Sequence, residues 1–230
     1  MVAAASDLQF VMPKLAQQFE EKSGVKVQIT LGSSGNFFAQ IKNGAPYDLF
    51  FSADVNYPRQ LQAAGLLEPG TFYEYARGAI VLWTRKETGI DVKRGLPVLL
   101  EGEVHKIAIA NPNHAPYGRA ALDALQKKGL YKKIAGKLVL GENVSQAAQF
   151  IATGSAQVGI IPLSLALAPA LAKQGAYAEI SPADYPPIEQ GCAVLRSSKH
   201  KSAALQFLQF MKSREALALL SQAGFSGPSK

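Results

Sequence analysis

Three times along this 230-residue chain a short apolar run gives way to a small polar turn and then to helical spacing. The first instance has Val25, Val27, Ile29 and Leu31 alternating with Lys26, Gln28 and Thr30, the period-two pattern of a strand. Gly32-Ser33-Ser34-Gly35-Asn36 follows, and Phe37, Phe38 and Ile41 then fall on one face of a helix. Upstream, Leu15, Phe19 and Lys22 keep helical spacing up to Gly24, placed as a helix stop. The unit returns as a strand over 105–110, a loop over 111–118 and a helix over 119–127, and again as a strand over 137–140, a turn at Gly141-Glu142-Asn143 and a helix over 144–153. This alternation predicts an α/β fold with mostly parallel sheets whose faces the helices cover. No repeat of fixed period accompanies it, which argues against a solenoid.

Segments 78–84 and 191–196 read as strands without a following helix of the same kind. If the chain crosses between two lobes there, residues 1–78 and 190–230 form the first lobe and 79–189 the second; one continuous sheet is the alternative. The tail supports two lobes, because Ala203, Leu205, Phe207, Leu208 and Met211, then Leu217 and Leu220, offer an apolar face that must dock on a sheet. With 48% hydrophobic and 18% charged residues the chain can fill a core and keep a polar surface, so disorder is excluded. Cys192, the single cysteine, reads as a core residue in an apolar strand, and one cysteine cannot form an intramolecular disulfide. No apolar run approaches the ~20 residues of a membrane span; the longest, 158–172, is broken by Pro162 and Pro169 and reads as a strand leading into a helix. Met1 runs straight into Val2-Ala3-Ala4-Ala5, without the basic segment and apolar stretch of a signal peptide, so a targeting segment removed from this chain is one reading of its start.

A net charge of +7 admits nucleic acid, a membrane surface or a small anion as partner. The basic residues are scattered, with only short pairs such as Lys132-Lys133, and form no stripe for reading nucleic acid. The turns point instead to an anion. A strand ending in small polar residues and opening a helix leaves unpaired backbone N–H groups and the positive end of the helix dipole at one spot. Ser33-Ser34-Gly35-Asn36 is the clearest case, and Ser6, the Tyr117-Gly118 turn and the Asn143-Val144 turn occupy similar places. Ser and Asn at helix starts also serve as plain caps, so each turn alone reads two ways; their number at one kind of strand end favours a ligand edge. The inventory for catalysis is thin. His105, His114 and His200 have no metal-site spacing, and no G-x-S-x-G, P-loop or G-x-G-x-x-G occurs. Asp48 and Asp54 form the one candidate acid–base pair of a hydrolase, against a plainer role in turns, with Asp54 capping the helix that contains Pro58 and Leu61.

Ala3-Ala4-Ala5-Ser6, Gly32 to Asn36, Gly44-Ala45-Pro46-Tyr47-Asp48-Leu49-Phe50-Phe51-Ser52-Ala53-Asp54, Asn111-Pro112 with Ala115-Pro116-Tyr117-Gly118, and Glu142-Asn143-Val144 together resemble the periplasmic molybdate-binding proteins of ABC importers. The likeness runs in order from Val2 to Phe225, and the stretch from Gly44 to Asp54 is its most specific part. It implies the two-lobed periplasmic-binding-protein fold with a small oxyanion, molybdate or tungstate, in the cleft between lobes. It also implies a membrane-embedded ABC importer complex as partner, a periplasmic or surface-tethered monomer, and no cofactor, metal-ion ligands, nucleic-acid partner or catalysis. By the same resemblance Ser6 and Ser34 would contact the ion through hydroxyl and N–H, and Tyr117 and Val144 through N–H, with Ser33, Gly35 and Asn143 as secondary candidates. One position departs: where the family often has a tyrosine whose hydroxyl reaches the anion, this chain has Pro162, which offers neither hydroxyl nor N–H. The Tyr117 hydroxyl is the expected replacement donor, Ser164 the next candidate, and oxyanion preference, sulfate included, is what the substitution affects. Arg119, the one basic side chain in these turns, is expected to face solvent.

Overall fold

The computed structural model describes residues 1–228, which divide into two compact units, Met1–Gly78 with the chain from Glu189 on, and Ala79–Ile188. The first unit contains β1 (Val2–Ala5), α1 (Met12–Ser23), β2 (Ile29–Gly32), α2 (Ser34–Lys42), β3 (Leu49–Ser52), α3 (Asn56–Ala63) and β4 (Tyr73–Gly78). The second contains β5 (Ile80–Arg85), β6 (Ile107–Ala110), α4 (Pro116–Lys127), α5 (Tyr131–Ile134), β7 (Leu138–Gly141), α6 (Val144–Ala152), β8 (Val158–Pro162), α7 (Leu163–Ala166), α8 (Pro169–Gln174) and β9 (Gly175–Glu179). The chain then supplies β10 (Ile188–Val194), α9 (Lys201–Phe210) and α10 (Arg214–Gln222) to the first unit. No helix among the described residues is long and apolar enough to cross a membrane.

The first sheet has the order β2-β1-β3-β10-β4 and the second β7-β6-β8-β5-β9. The expected parallel pairing holds for β1 with β2 and β3, and for β6 with β7 and β8. The sheets are nonetheless mixed, because β10 runs antiparallel to β3, and β5 antiparallel to β8 and β9. These are the segments read as strands without a following helix. A strand not entered through a β-α-β crossover has no handedness rule to keep it parallel.

Alternation along the central strands of the first sheet sorts side chains onto two cores. Val2, Ala4, Leu49, Phe51, Cys192 and Val194 face one cluster with Leu8, Met12, Leu15 and Phe19, closed by Phe207, Leu208, Met211 and Leu220 of the tail helices. Ala3, Phe50 and Ala193 face the other, with Phe37, Ile41 and Leu61. Cys192 is fully buried, and burial pushes its thiol far above the ordinary range, so it remains a neutral core residue. In the second unit α6 packs on β6, β7 and β8, and α4 on β6 and β8.

Several element boundaries differ from the sequence expectation. The strand over 25–31 shrinks to β2, because its ladder with β1 ends at the Val2↔Ile29 pair and the Val27 N–H donates instead to Glu20 Oε1 at 2.6 Å. The helix expected from 119 starts at Pro116, a residue suited to a first helical turn. The strand expected over 78–84 is interrupted at Ala79, with β4 and β5 on either side in different sheets. Gly24 ends α1 as expected, at φ 71° with its N–H donating to Glu20 O at 2.8 Å.

Candidate functional site

Parallel strands bring their carboxyl ends to one edge, and there the chain turns from strand to helix. In the first unit the register Ala5↔Gly32 places the Ser6 turn beside the Ser33-Ser34 turn, and Ala4↔Phe51 brings the end of β3 alongside. Ser6, Ser33 and Ser34 are all buried, Ser34 completely. Ser6 Oγ donates to Gly32 O at 3.1 Å. Ser33 is the N-cap residue of α2, but its side chain makes no capping hydrogen bond. Ser34 does not cap either: its hydroxyl oxygen accepts the Ala53 N–H at 2.9 Å. A hydroxyl whose oxygen is engaged by a donor has its own proton to give, so Ser34 is oriented as a donor. The Ser52-Ala53-Asp54 turn holds that arrangement in place, with Ser52 Oγ donating to Asp54 O at 2.7 Å and accepting the Asp54 N–H at 3.1 Å. Gly35, half-buried, adds a second backbone N–H of the first turn of α2. Gly32 is required by packing, since a Cβ there would meet the Phe37 ring at 2.9 Å.

The second unit repeats the edge. Ala110↔Gly141 sets the turn after β6 beside the turn after β7, and the Asn111 N–H donates to Gly141 O at 2.8 Å. Tyr117, 3% exposed, lies in the first turn of α4, and Val144, 6% exposed, opens α6. Gly118 lets α4 approach the end of β6 closely, because a Cβ at this position would stand 2.1 Å from Ala110 O. Asn143 acts as a true N-cap: its Oδ1 accepts the Gln146 N–H at 3.1 Å, while Gln146 Oε1 accepts the Glu142 N–H at 2.6 Å, a reciprocal cap. His114 Nε2 lies 3.6 Å from Glu142 Oε1, joining the two loops. Pro162 ends β8 and Ser164, buried, lies in the four-residue α7 that follows. Thus Ser6, Ser33, Ser34 and Gly35 gather at one edge, and Tyr117, Asn143 and Val144 at another, with Pro162 and Ser164 at the end of the neighbouring β8. Arg119 is half-buried.

The candidate hydrolase pair is occupied elsewhere. Asp48 pairs with the Met1 amino group, accepts from Ser198 Oγ at 2.7 Å and lies 3.3 Å from His200 Nδ1. Burial raises its pKa, but hydrogen bonds from the Met1 amino group, Ser198 and His200, with the charge of that amino group, outweigh it and hold the carboxyl below its usual range. Asp54 Oδ1 accepts the Asn56 N–H at 2.8 Å in an Asx-turn ahead of α3, whose N-cap residue is Val55 rather than the Asp54 expected from the sequence. No group of three His, Cys, Asp or Glu among the described residues is placed to hold a metal ion.

Two features escaped the sequence. The Ala53 N–H that orients Ser34 is invisible until β3 is known to lie beside β1. Gln190, on β10 beside Glu189, is fully buried and hydrogen-bonded to Asp7, the residue after Ser6.

Residues 1–226 match the family described as bacterial extracellular solute-binding protein. The molybdate-binding protein ModA of Rhodobacter capsulatus is 37% identical over 227 residues, covering 97% of this chain and 87% of that protein. Its namesake in Azotobacter vinelandii is 35% identical over 224 residues, covering 97% and 88%. The solved structure of the Azotobacter vinelandii periplasmic molybdate-binding protein superposes with a TM-score of 0.93 at 36% identity, over 99% of each chain.

Proposed function

The chain belongs to the bacterial extracellular solute-binding protein family, and we propose that within it the protein captures molybdate and delivers it to an ABC import complex. The observation that carries this reading is the donor set at the strand ends. Ser34 is buried, already accepting a backbone N–H and therefore oriented to donate, with Ser6 on the adjoining turn, where its hydroxyl now donates to Gly32 O and would turn to the ion. Tyr117 and Val144 occupy the first turns of α4 and α6, where backbone N–H groups have no partner within the helix. One ion would take hydrogen bonds from Ser6 and Ser34 and from the Tyr117 and Val144 N–H groups, with the Tyr117 hydroxyl replacing the donor that Pro162 cannot supply. Ser33, Gly35 and Ser164 would contribute secondarily, and Asn143 through its cap on α6.

On this account a doubly charged ion is held by neutral dipoles. Hydrogen bonds to a charged acceptor are roughly twice as strong as neutral ones, so a few in a dry site suffice. Selection then rests on the number of donors an ion can satisfy, each unsatisfied one costing about 1 to 3 kcal/mol. Tungstate, alike in shape and charge, should bind as molybdate does. The protein acts as a periplasmic or surface-tethered monomer, without cofactor or catalysis. Sulfate is the second reading, favoured only by the donor missing at Pro162. Isothermal titration with molybdate, tungstate, sulfate and phosphate tests both: heat with the first two supports the proposal, whereas silence from them with clear sulfate binding overturns it.

A further inference from the structure

The first unit buries a chain of three polar side chains that the proposed donors do not use. Tyr75 Oη donates to Gln190 Oε1 at 2.5 Å, and Gln190 Nε2 donates to Asp7 Oδ2 at 2.6 Å. Tyr75 and Asp7 are 1% exposed and Gln190 is fully buried. The two bonds run one way, the amide turning its NH₂ to Asp7 and its carbonyl to the phenol, which donates. Asp7 shares a single 3-10 turn, Ser6–Leu8, with Ser6. Gln190 and Tyr75 lie on β10 and β4, the strands at which the chain passes between units, at Ile188–Glu189 and Gly78–Ala79. Burying three polar groups beside Leu8, Phe51 and Val194 costs stability that these two bonds offset in part, and they favour the one arrangement in which both are made.

We propose that Gln190 is a positioning residue for oxyanion capture: by donating to Asp7 it holds the Ser6–Leu8 turn in the orientation that presents Ser6 to the ion. The proposal rests on the assignment of Ser6 to the ion in the preceding section. The ionisable groups around Gln190 are Asp7, Tyr75 and, two residues along β10, Cys192, with Lys212 acting on Cys192; Glu189 alternates to the other face of the strand. Burial, then Asp7 and Cys192, pushes the Tyr75 phenol up, so at neutral pH it keeps the proton that it gives to Gln190.

Gln190→Glu separates positioning from packing, because its shape is unchanged and its bonding depends on pH. Protonated, the introduced acid donates to Asp7 and accepts from Tyr75, restoring the chain; ionised, it sets two carboxylates against each other. Molybdate affinity of wild type and variant is measured by titration between about pH 5.5 and about pH 8.5, the wild type cancelling protonation of the ion itself. The variant should bind about tenfold more weakly at the upper limit and recover to within about threefold at the lower. Tyr75→Phe, which keeps the core ring and removes only the donor to Gln190, should bind about threefold more weakly at every pH and serves if the paired carboxylates prevent folding. Affinity equal to wild type throughout, with only the thermal midpoint moving, would show a merely structural Gln190 and overturn the proposal. Absence of molybdate binding by the wild type would instead overturn the site assignment, and the proposal with it.

Discussion

Replacing Ser34 by alanine should separate two effects of one hydroxyl. Its oxygen accepts the Ala53 N–H at 2.9 Å in a fully buried position, and on the proposed reading its proton is the donor offered to the ion. Loss of one hydrogen bond to a charged group weakens binding by about 1.5 to 3 kcal/mol, which is roughly 10- to 150-fold in Kd. The same change leaves the buried Ala53 N–H without its partner, at a cost of about 1 to 3 kcal/mol to the ligand-free protein and a fall in Tm of roughly 2 to 10 °C. Titration calorimetry with molybdate reads the first effect, and scanning calorimetry without ligand the second. Arg119→Ala is the control: if neutral donors hold the ion as proposed, it should leave molybdate affinity within about threefold of wild type. Unchanged binding by Ser34→Ala, with loss of binding by Arg119→Ala, would refute the neutral-dipole account.

Tyr117→Phe keeps the ring and the backbone donor while deleting one oxygen, and should weaken molybdate binding by about 1.5 to 3 kcal/mol; a titration indistinguishable from wild type would leave Tyr117 only its N–H and make Ser164 the candidate for the missing donor. Gly118→Ala places a methyl group 2.1 Å from Ala110 O and should lower both Tm and molybdate affinity, whereas Gly136→Ala, with nothing within 4 Å, should leave both intact. Equal Tm for the two variants would contradict the close packing of α4. Asp48 is held below the usual carboxylate range in the folded state, so its contribution is complete above the unfolded pKa of about 3.9 and is lost as pH falls through the lower folded value. Asp48→Asn should therefore be less stable than wild type near neutrality, the difference closing in acid; a difference that widened in acid would reverse the sign of the argument.

The βα units were legible because periodicity changes sharply at the turns: Ile29 and Leu31 alternate, and Phe37 and Ile41 then take helical spacing. Gly24 marked a helix end by backbone chemistry that needs no tertiary information, whereas the same kind of signal at Pro116 went unread and the helix was placed from 119. Strand direction was not legible. Alternation in β10 is the same whether it runs with β3 or against it, so the mixed character of the sheets waits on topology. Val25 and Val27 kept the strand pattern without the strand, since their apolar side chains pack on the core while the ladder has already ended. At the candidate site the proposed donors stood out as local motifs, whereas the residues that support them did not. Ala53 lies 19 residues from Ser34, and Gln190 lies 183 from Asp7 and 115 from Tyr75, separations that no local pattern spans.

The central claim is that one molybdate ion is held by neutral donors from the Ser6, Ser34, Tyr117 and Val144 turns. Anomalous diffraction at the molybdenum absorption edge, from crystals grown with molybdate, locates the metal without assumption about the site. The account predicts a single strong peak whose oxygens accept from Ser6, its hydroxyl turned away from Gly32 O, from the Ser34 hydroxyl and from the Tyr117 and Val144 N–H groups, with no Lys or Arg nitrogen among the contacts. A peak remote from these turns, or one whose oxygens are bound by a Lys or Arg side chain, would contradict it.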